Sequence, residues 1–255
     1  NMFQFFVKQE NQTEQEVRIY GEDFHHMSQV IRLKEAEVFR VSLLDGTKKS
    51  YLCELDHYET DCAVGKILNA ESDFGEINGS IVLFQGLPKS DKMEWIIQKA
   101  VELGVTEIIP VAMEHSVVKL DDKKASGKIQ RWQAISLNAA KQSKRSIIPE
   151  IHSVMSFQEA IEYSKTLNHV CLPYENEQGV TGTNCFLNEI GTSDKIGIFI
   201  GPEGGFSKKE VERLSDHIKK VSLGHRILRT ETAAIFMVGL IMMQFEQAAE
   251  IENKI

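Results

Sequence analysis

From Ser80 onward the chain alternates two kinds of segment, and few architectures can accommodate both. Short apolar runs suited to burial on both faces, SIVLFQGL at 80–87, EIIPV at 107–111, HVCLPY at 169–174 and KIGIFI at 195–200, are separated by stretches with helical periodicity. The clearest helix follows Ser90, a candidate cap: Met93, Ile96, Ile97, Ala100, Val101 and Leu103 keep an i, i+3, i+4, i+7 spacing that stops at Gly104. Further helices are expected at 127–143, 156–164, 207–219 and 230–249. Doubly buried strands joined by helices imply an α/β fold, with a mostly parallel sheet covered on both faces.

The first seventy residues have a different rhythm. MFQFFV, EVFRVSLL, SYLCELD and DCAVGKIL read as short strands, Asp45-Gly46-Thr47 as a hairpin turn, and 22–31 as one short helix. A compact β module of this kind is usually a small barrel. The expected organisation is a β domain over 1–73 and an α/β domain over 74–255. With 255 residues, 42% of them hydrophobic, the chain can bury both cores without disulfide or metal staples. Cys53, Cys62, Cys171 and Cys185 form no CxxC pair and no zinc-like spacing, so reduced thiols in the cytoplasm are expected, and no metal site. The longest nearly uninterrupted apolar stretch, Ala233 to Met243, is 11 residues, against the roughly 20 that cross a bilayer, and the first residues lack signal-peptide features.

A net charge of −8 argues against nucleic acid, but the average conceals a basic segment. Between Gln85 and Pro149, 11 Lys and Arg stand against 7 Asp and Glu. This is a candidate polyanion-facing surface, with a solvated helix face as the alternative. Lys89 and Lys92 flank a helix start, where the positive end of the dipole disfavours cations, which points to an anion beyond it such as RNA phosphate. Lys119, Arg131, Lys141, Lys144 and Arg145 add to the segment, the last three sharing a face if their helix continues that far.

The most informative stretch is KIGIFIGPEGGFSKKEVERL. A buried strand runs into Gly201-Pro202-Glu203-Gly204-Gly205, and Ser207 with Glu210 forms a capping box that starts a helix. Glycines at the carboxyl end of such a strand allow a ligand close to backbone, although a turn that only reverses direction has the same composition. The spacing supplies neither GxxxxGK[ST] nor GxGxxG, which disfavours a nucleotide hydrolase. In VSLGHRILRTETAAIFMVGLIMM, Thr230 or Thr232 can cap the terminal helix, whose exposed N–H groups can read a purine edge without charged side chains. Eight histidines show no HExxH, and no GxSxG elbow occurs.

In combination and order, QGLPKSDKMEWIIQKAVELGVTEIIPV, HSVVKL, RWQAISLNAAKQSKR, IGPEGGF and LGHRILRTETA resemble the ribosomal small subunit uracil-N3 methyltransferases of the SPOUT superfamily. The resemblance spans almost the whole α/β domain, and HHMSQVIRL extends it to a PUA-like RNA-binding barrel. It implies a trefoil-knotted sheet holding S-adenosylmethionine, an exception to the avoidance of knots. It also implies a homodimer, with RNA approached by the partner's barrel. By carry-over, cofactor contacts fall on Leu172, Pro173, Gly201, Pro202, Gly204, Gly205, Leu223, Gly224, Ile227, Leu228, Arg229, Thr232 and Ala233. The chain departs from the family pattern at His25-His26, Ser90 and Lys141, where an Arg-His pair, a Gly and a Glu are usual. Arg32 is therefore the better candidate for an RNA-contacting arginine in the barrel.

The expected reaction is methyl transfer to N3 of a uridine in 16S rRNA near the decoding site. Arg229 could stabilise charge on a uracil oxygen, and Glu203 could position the base or take its proton. Arg32, Lys89, Lys92, Lys141 and Arg145 are candidates for holding the RNA backbone. The alternatives are methylation of another RNA or a ribose 2′-hydroxyl, and a non-catalytic RNA-binding assembly protein.

Overall fold

The computed structural model describes residues 2–71, 75–89, 91–116 and 122–252, so the expected roles of Ser90 and Lys119 lie outside the described residues. Two compact units are present, 1–76 together with 140–148, and 77–139 together with 149–255.

In the first unit β1 (Gln4–Val7), β2 (Glu16–Tyr20), β3 (Val38–Leu43), β4 (Ser50–Tyr58) and β5 (Cys62–Glu71) form a curled sheet in the order β1-β3-β4-β5-β2. β1 runs parallel to β3 and the other pairings are antiparallel. Register shifts between β4 and β5 at Leu52/Cys53 and Leu55/His57 increase the local twist, and so the curl. Between β3 and β4, Asp45 Oδ1 accepts the Thr47 N–H at 2.9 Å, which fixes the expected hairpin turn. The expected short helix is α1 (Gly21–His25) running into a single π turn, His26–Val30. Val17, Met27, Phe39, Val41 and Cys53 fill the core.

The returning residues 140–148 carry a buried ion pair. Arg145 and Glu76 side chains are 2% and 1% exposed, with Nη2 to Oε2 at 2.7 Å. Glu76 Oε1 also accepts the N–H groups of Ser146 at 2.9 Å and Ile147 at 3.2 Å. Gln4 donates to the Arg145 carbonyl. The expectation that Arg145 meets RNA phosphate is therefore corrected: its guanidinium is sealed inside the first unit against a carboxylate.

In the second unit all neighbouring strands are parallel. β6 (Ser80–Gly86), β7 (Glu107–Ala112), β8 (Glu150–Ile151), β10 (His169–Pro173), β11 (Lys195–Ile200) and β12 (Ile218–Val221) lie in the order β12-β10-β11-β6-β7-β8, with β9 (Met155–Ser156) also on β7. The helices are α2 (Lys92–Glu102), α3 (Asp122–Gln142), whose residues 140–142 belong to the first unit, α4 (Phe157–Ser164), α5 (Thr181–Asn188), α6 (Lys208–Glu212) and α7 (Thr230–Glu252). The helix expected over 207–219 is only α6, because Ile218 and Val221 turn inward as β12 beside β10. Phe84 and Phe199 stack at 4.3 Å in the core of the sheet.

α7 is longer than expected. Residues Thr230–Ile251 are by length and composition alone enough to cross a membrane, which the 11-residue apolar run had argued against. Packing on α2, β6 and β11 accounts for one apolar face, where Ala234, Met237, Val238, Ile241 and Phe245 are buried. The described cysteines are all free thiols.

Two ionic features yield measurable consequences. Replacing Glu76 by Gln strips Arg145 of its counter-charge, so E76Q should cost about 3–5 kcal/mol in urea denaturation. In the second unit Glu107 accepts hydrogen bonds from His152 Nε2 at 3.0 Å and the Tyr163 hydroxyl at 2.6 Å. The hydrogen bond to Glu107 raises the His152 pKa against the opposing effect of burial, and the same bond lowers that of Glu107. The histidine contribution is complete below about 6.5 and fades as pH rises through the raised value, while the glutamate contribution fades as pH falls through a value below about 4.3. E107Q should therefore flatten the fall in stability that begins at about pH 6.5, as thermal melts across pH 5–8 would show.

Candidate functional site

At the carboxyl ends of β10, β11 and β12 three connections surround a cavity of about 470 Å3. The first contributes Pro173, Tyr174 and Glu175, the second Ile200 through Phe206, and the third Ser222 through Thr230, with Ala233 and Lys92 completing the wall. Ligands of open α/β sheets bind at such strand ends. Parallel pairing sets the arrangement, since Ile200 lies opposite Gln85 and both strands end together. Gly224, at φ +102°, takes a left-handed conformation that side chains resist, and it lines the cavity within the third connection.

The glycine-rich turn closes on itself through the Gly205 N–H, which donates to the Pro202 carbonyl at 2.9 Å. Outside side chains hold the rest. Thr230 Oγ1 donates to the Gly201 carbonyl at 2.6 Å and accepts from Gln85 Nε2 at 2.9 Å, with Gln85 fully buried. The Thr230 hydroxyl thus links the ends of β6 and β11 to the start of α7, instead of capping that helix. Glu203 accepts the Lys89 N–H at 3.1 Å and faces Lys92 Nζ at 3.1 Å. Lys92 Nζ also lies 3.5 Å from Glu231.

These contacts set the protonation states. Burial works to raise the Glu203 pKa, but hydrogen bonds from backbone N–H groups and Lys92 outweigh it, and the net shift is downward. The hydrogen bond to Glu203 raises the Lys92 pKa. Glu203 is thus a bound anion of low basicity. The anion anticipated beyond Lys92 is internal, supplied by Glu203 and Glu231.

Of the expected cofactor contacts, all but two line this cavity. Leu172 is buried in the core with Val170 and Phe199, so only its backbone can reach the strand-end side. Thr232 is exposed on the first turn of α7, outside the wall. Arg229 lies on the rim with Arg226 and His225, and none of the three has a carboxylate partner among the described residues. Lys89 is exposed, Arg32 is exposed in the first unit, and Lys141 is held by Asp23 at 2.6 Å within that unit. Sequence reasoning missed Gln85, although a glutamine inside an apolar strand signals a buried polar partner. It also missed Glu175, which belongs to no motif, and it assigned no role to Phe206 and Arg226 although both lie inside the IGPEGGF and LGHRILRTETA blocks.

Residues 76–242 match the model of the RNA methyltransferase domain family. Over 232 residues, 89% of this chain and 90% of the relative, the sequence is 36% identical to ribosomal RNA small subunit methyltransferase E of Bacillus subtilis. The chain belongs to this methyltransferase family. The structure agrees along nearly its whole length. A ribosomal RNA small subunit methyltransferase E from Neisseria gonorrhoeae, crystallised with S-adenosyl methionine, superposes with a TM-score of 0.79 at 28% identity, covering 95% of this chain and 98% of that one. A crystal structure described as that of a hypothetical protein gives 0.87 at 34% identity, covering 96% and 99%. The α/β fold with a parallel sheet and a curled second sheet is thus the family's.

In this family member the Thr230 hydroxyl can be removed without changing shape. T230V leaves the Gly201 carbonyl and Gln85 amide without their buried partner and should cost about 1–3 kcal/mol, whereas T230S should stay close to the parent in chemical denaturation.

Proposed function

We propose that the chain transfers a methyl group from S-adenosylmethionine to N3 of a uridine in 16S rRNA near the decoding site, acting in the cytoplasm as a homodimer. The observation that carries this reading is a cavity lined by the residues that follow three parallel strands, with Arg226 and Arg229, which have no carboxylate partner among the described residues, in its lining. Its volume falls in the range of small-molecule sites, ~300–1,000 Å3. The residues suited to hold the cofactor are Pro173, Gly201, Pro202, Gly204 and Gly205 with Leu223, Gly224, Ile227, Leu228 and Ala233, and Leu172 through its backbone, whereas Thr232 lies outside the wall. Bound there, S-adenosylmethionine supplies an electrophilic methyl group.

Uracil N3 carries a proton and its lone pair is delocalised into the ring, so it becomes a nucleophile only as that proton is released to solvent. Arg229 suits the role of stabilising the charge that develops on a uracil oxygen. Glu203 suits positioning better than proton abstraction: its carboxylate is engaged by Lys89 and Lys92, and its basicity is reduced. Holding the target base in line then contributes much of the rate. Flipping that base out of its stack costs a few kcal/mol, which contacts to flanking phosphates offset. Lys89, exposed and close to the cavity mouth, and Arg32 in the first unit remain the best-placed phosphate contacts.

The outer face of α7 supports the dimer. Phe236 and Met243, seven residues apart and so on one face of α7, are 46% and 61% exposed. Exposed apolar side chains on one helix face suit a covering partner. We propose that the sheet is also trefoil-knotted, a reading compatible with Thr230, at the start of α7, being tied to Gly201 and Gln85.

The deciding experiment incubates the protein and labelled cofactor with undermethylated small subunits and with naked 16S rRNA, then locates the methyl group by nucleoside mass spectrometry. Label on uridine N3 is expected; label on a ribose oxygen or another base overturns the reading. K89E should weaken RNA binding and flatten its salt dependence, with cofactor affinity unchanged in calorimetric titration.

A further inference from the structure

The glycine-rich turn has one more external anchor, and it comes from the turn that follows β7. His115 Nδ1 lies 2.8 Å from the Gly204 carbonyl oxygen and 3.3 Å from that of Gly205. Both partners only accept hydrogen bonds, so Nδ1 carries the proton and donates to them. The adjacent Glu114 N–H donates to Glu210 Oε1 at 2.9 Å, while Glu210 Oε2 accepts the Ser207 N–H at 2.8 Å. Two consecutive residues therefore brace both the turn and the cap of the helix after it. The approach depends on glycine: a Cβ on Gly204 would stand 2.8 Å from the His115 Cβ.

We infer that His115, which is not part of the cavity wall, is a positioning residue for the methyl donor. The peptide group is planar, so a carbonyl and the N–H that follows it point in opposite directions. With the Gly205 carbonyl held by His115, the Phe206 N–H is turned to the opposite side of the chain. Gly204, Gly205 and Phe206 all line the cavity. The brace thus selects one orientation of these peptides from the many that a glycine pair can adopt, before any ligand arrives. Lacking it, part of the binding free energy is spent on ordering the turn.

The inference rests on the reading that this cavity holds S-adenosylmethionine. The test is calorimetric titration of the full chain with S-adenosylmethionine, with thermal melts of the ligand-free protein alongside. H115A and H115L both remove the donor, and H115N returns an amide N–H near the position of Nδ1. We expect H115A and H115L to weaken binding about tenfold, H115N to stay within about twofold of the parent, and all three to melt like the parent, since His115 is exposed. Parent-like binding by H115A and H115L, or H115N as weak as H115A, overturns the brace. G224V separates the two readings, because the cavity reading requires it to fail: parent-like binding by G224V overturns that reading and the brace with it. In turnover, H115A should raise the KM for the cofactor and not for RNA, and the reverse split would also overturn the inference.

Discussion

The in-register parallel pairing of β6 with β11 is the constraint on which the site depends. Six consecutive pairs, from Ser80 opposite Lys195 to Gln85 opposite Ile200, bring the two strands to an end at the same level. That places Gly201 where Thr230 can bond it, and Gln85 where it can bond Thr230. Stacking of Phe84 on Phe199, directly opposite each other, fixes the register through buried aromatic area. A slip of one residue would turn every side chain of one strand to the other face and dismantle these links together.

A division of labour follows. Four glycines, Gly201, Gly204, Gly205 and Gly224, stand in the cavity wall, and side chains hold the carbonyls of three of them. Thr230 secures the first residue of the turn, Glu203 ties its middle to the segment before α2, and His115 holds its last two carbonyls. Backbone donors have no rotamers to lose, so such a site gains precision from its supports. The reduced basicity of Glu203 belongs to the same logic, since a carboxylate recruited as a fastener is poorly suited to taking a proton.

Much of this was legible in the sequence, for identifiable reasons. Doubly buried strands such as SIVLF and KIGIF have a composition that few other elements share, and GPEGG after one of them marks a strand-end turn. The capping box at Ser207 and Glu210 formed as its spacing predicts. What sequence could not display was the distant partner of each charge. Lys92 and Arg145 read as exposed cations because their carboxylates, Glu203 and Glu76, lie far along the chain. Thr230 read as a helix cap because its bonds to Gln85 and Gly201 are tertiary. β12 was hidden because IKKV has only two buried positions, separated by two exposed lysines, and helical spacing from Ser207 runs on into it.

The return of residues 140–148 to the first unit has a consequence for dissecting the chain. A fragment cut after Glu76 would retain all five strands of the curled sheet but leave behind the guanidinium that its last acid requires. The stub would bury an orphan anion, and the Gln4 amide would lose a carbonyl. Neither half is therefore a contiguous cassette that recombination could move intact. Any transplant of the N-terminal module must also take the short return passage, or replace that acid with a neutral side chain of similar volume.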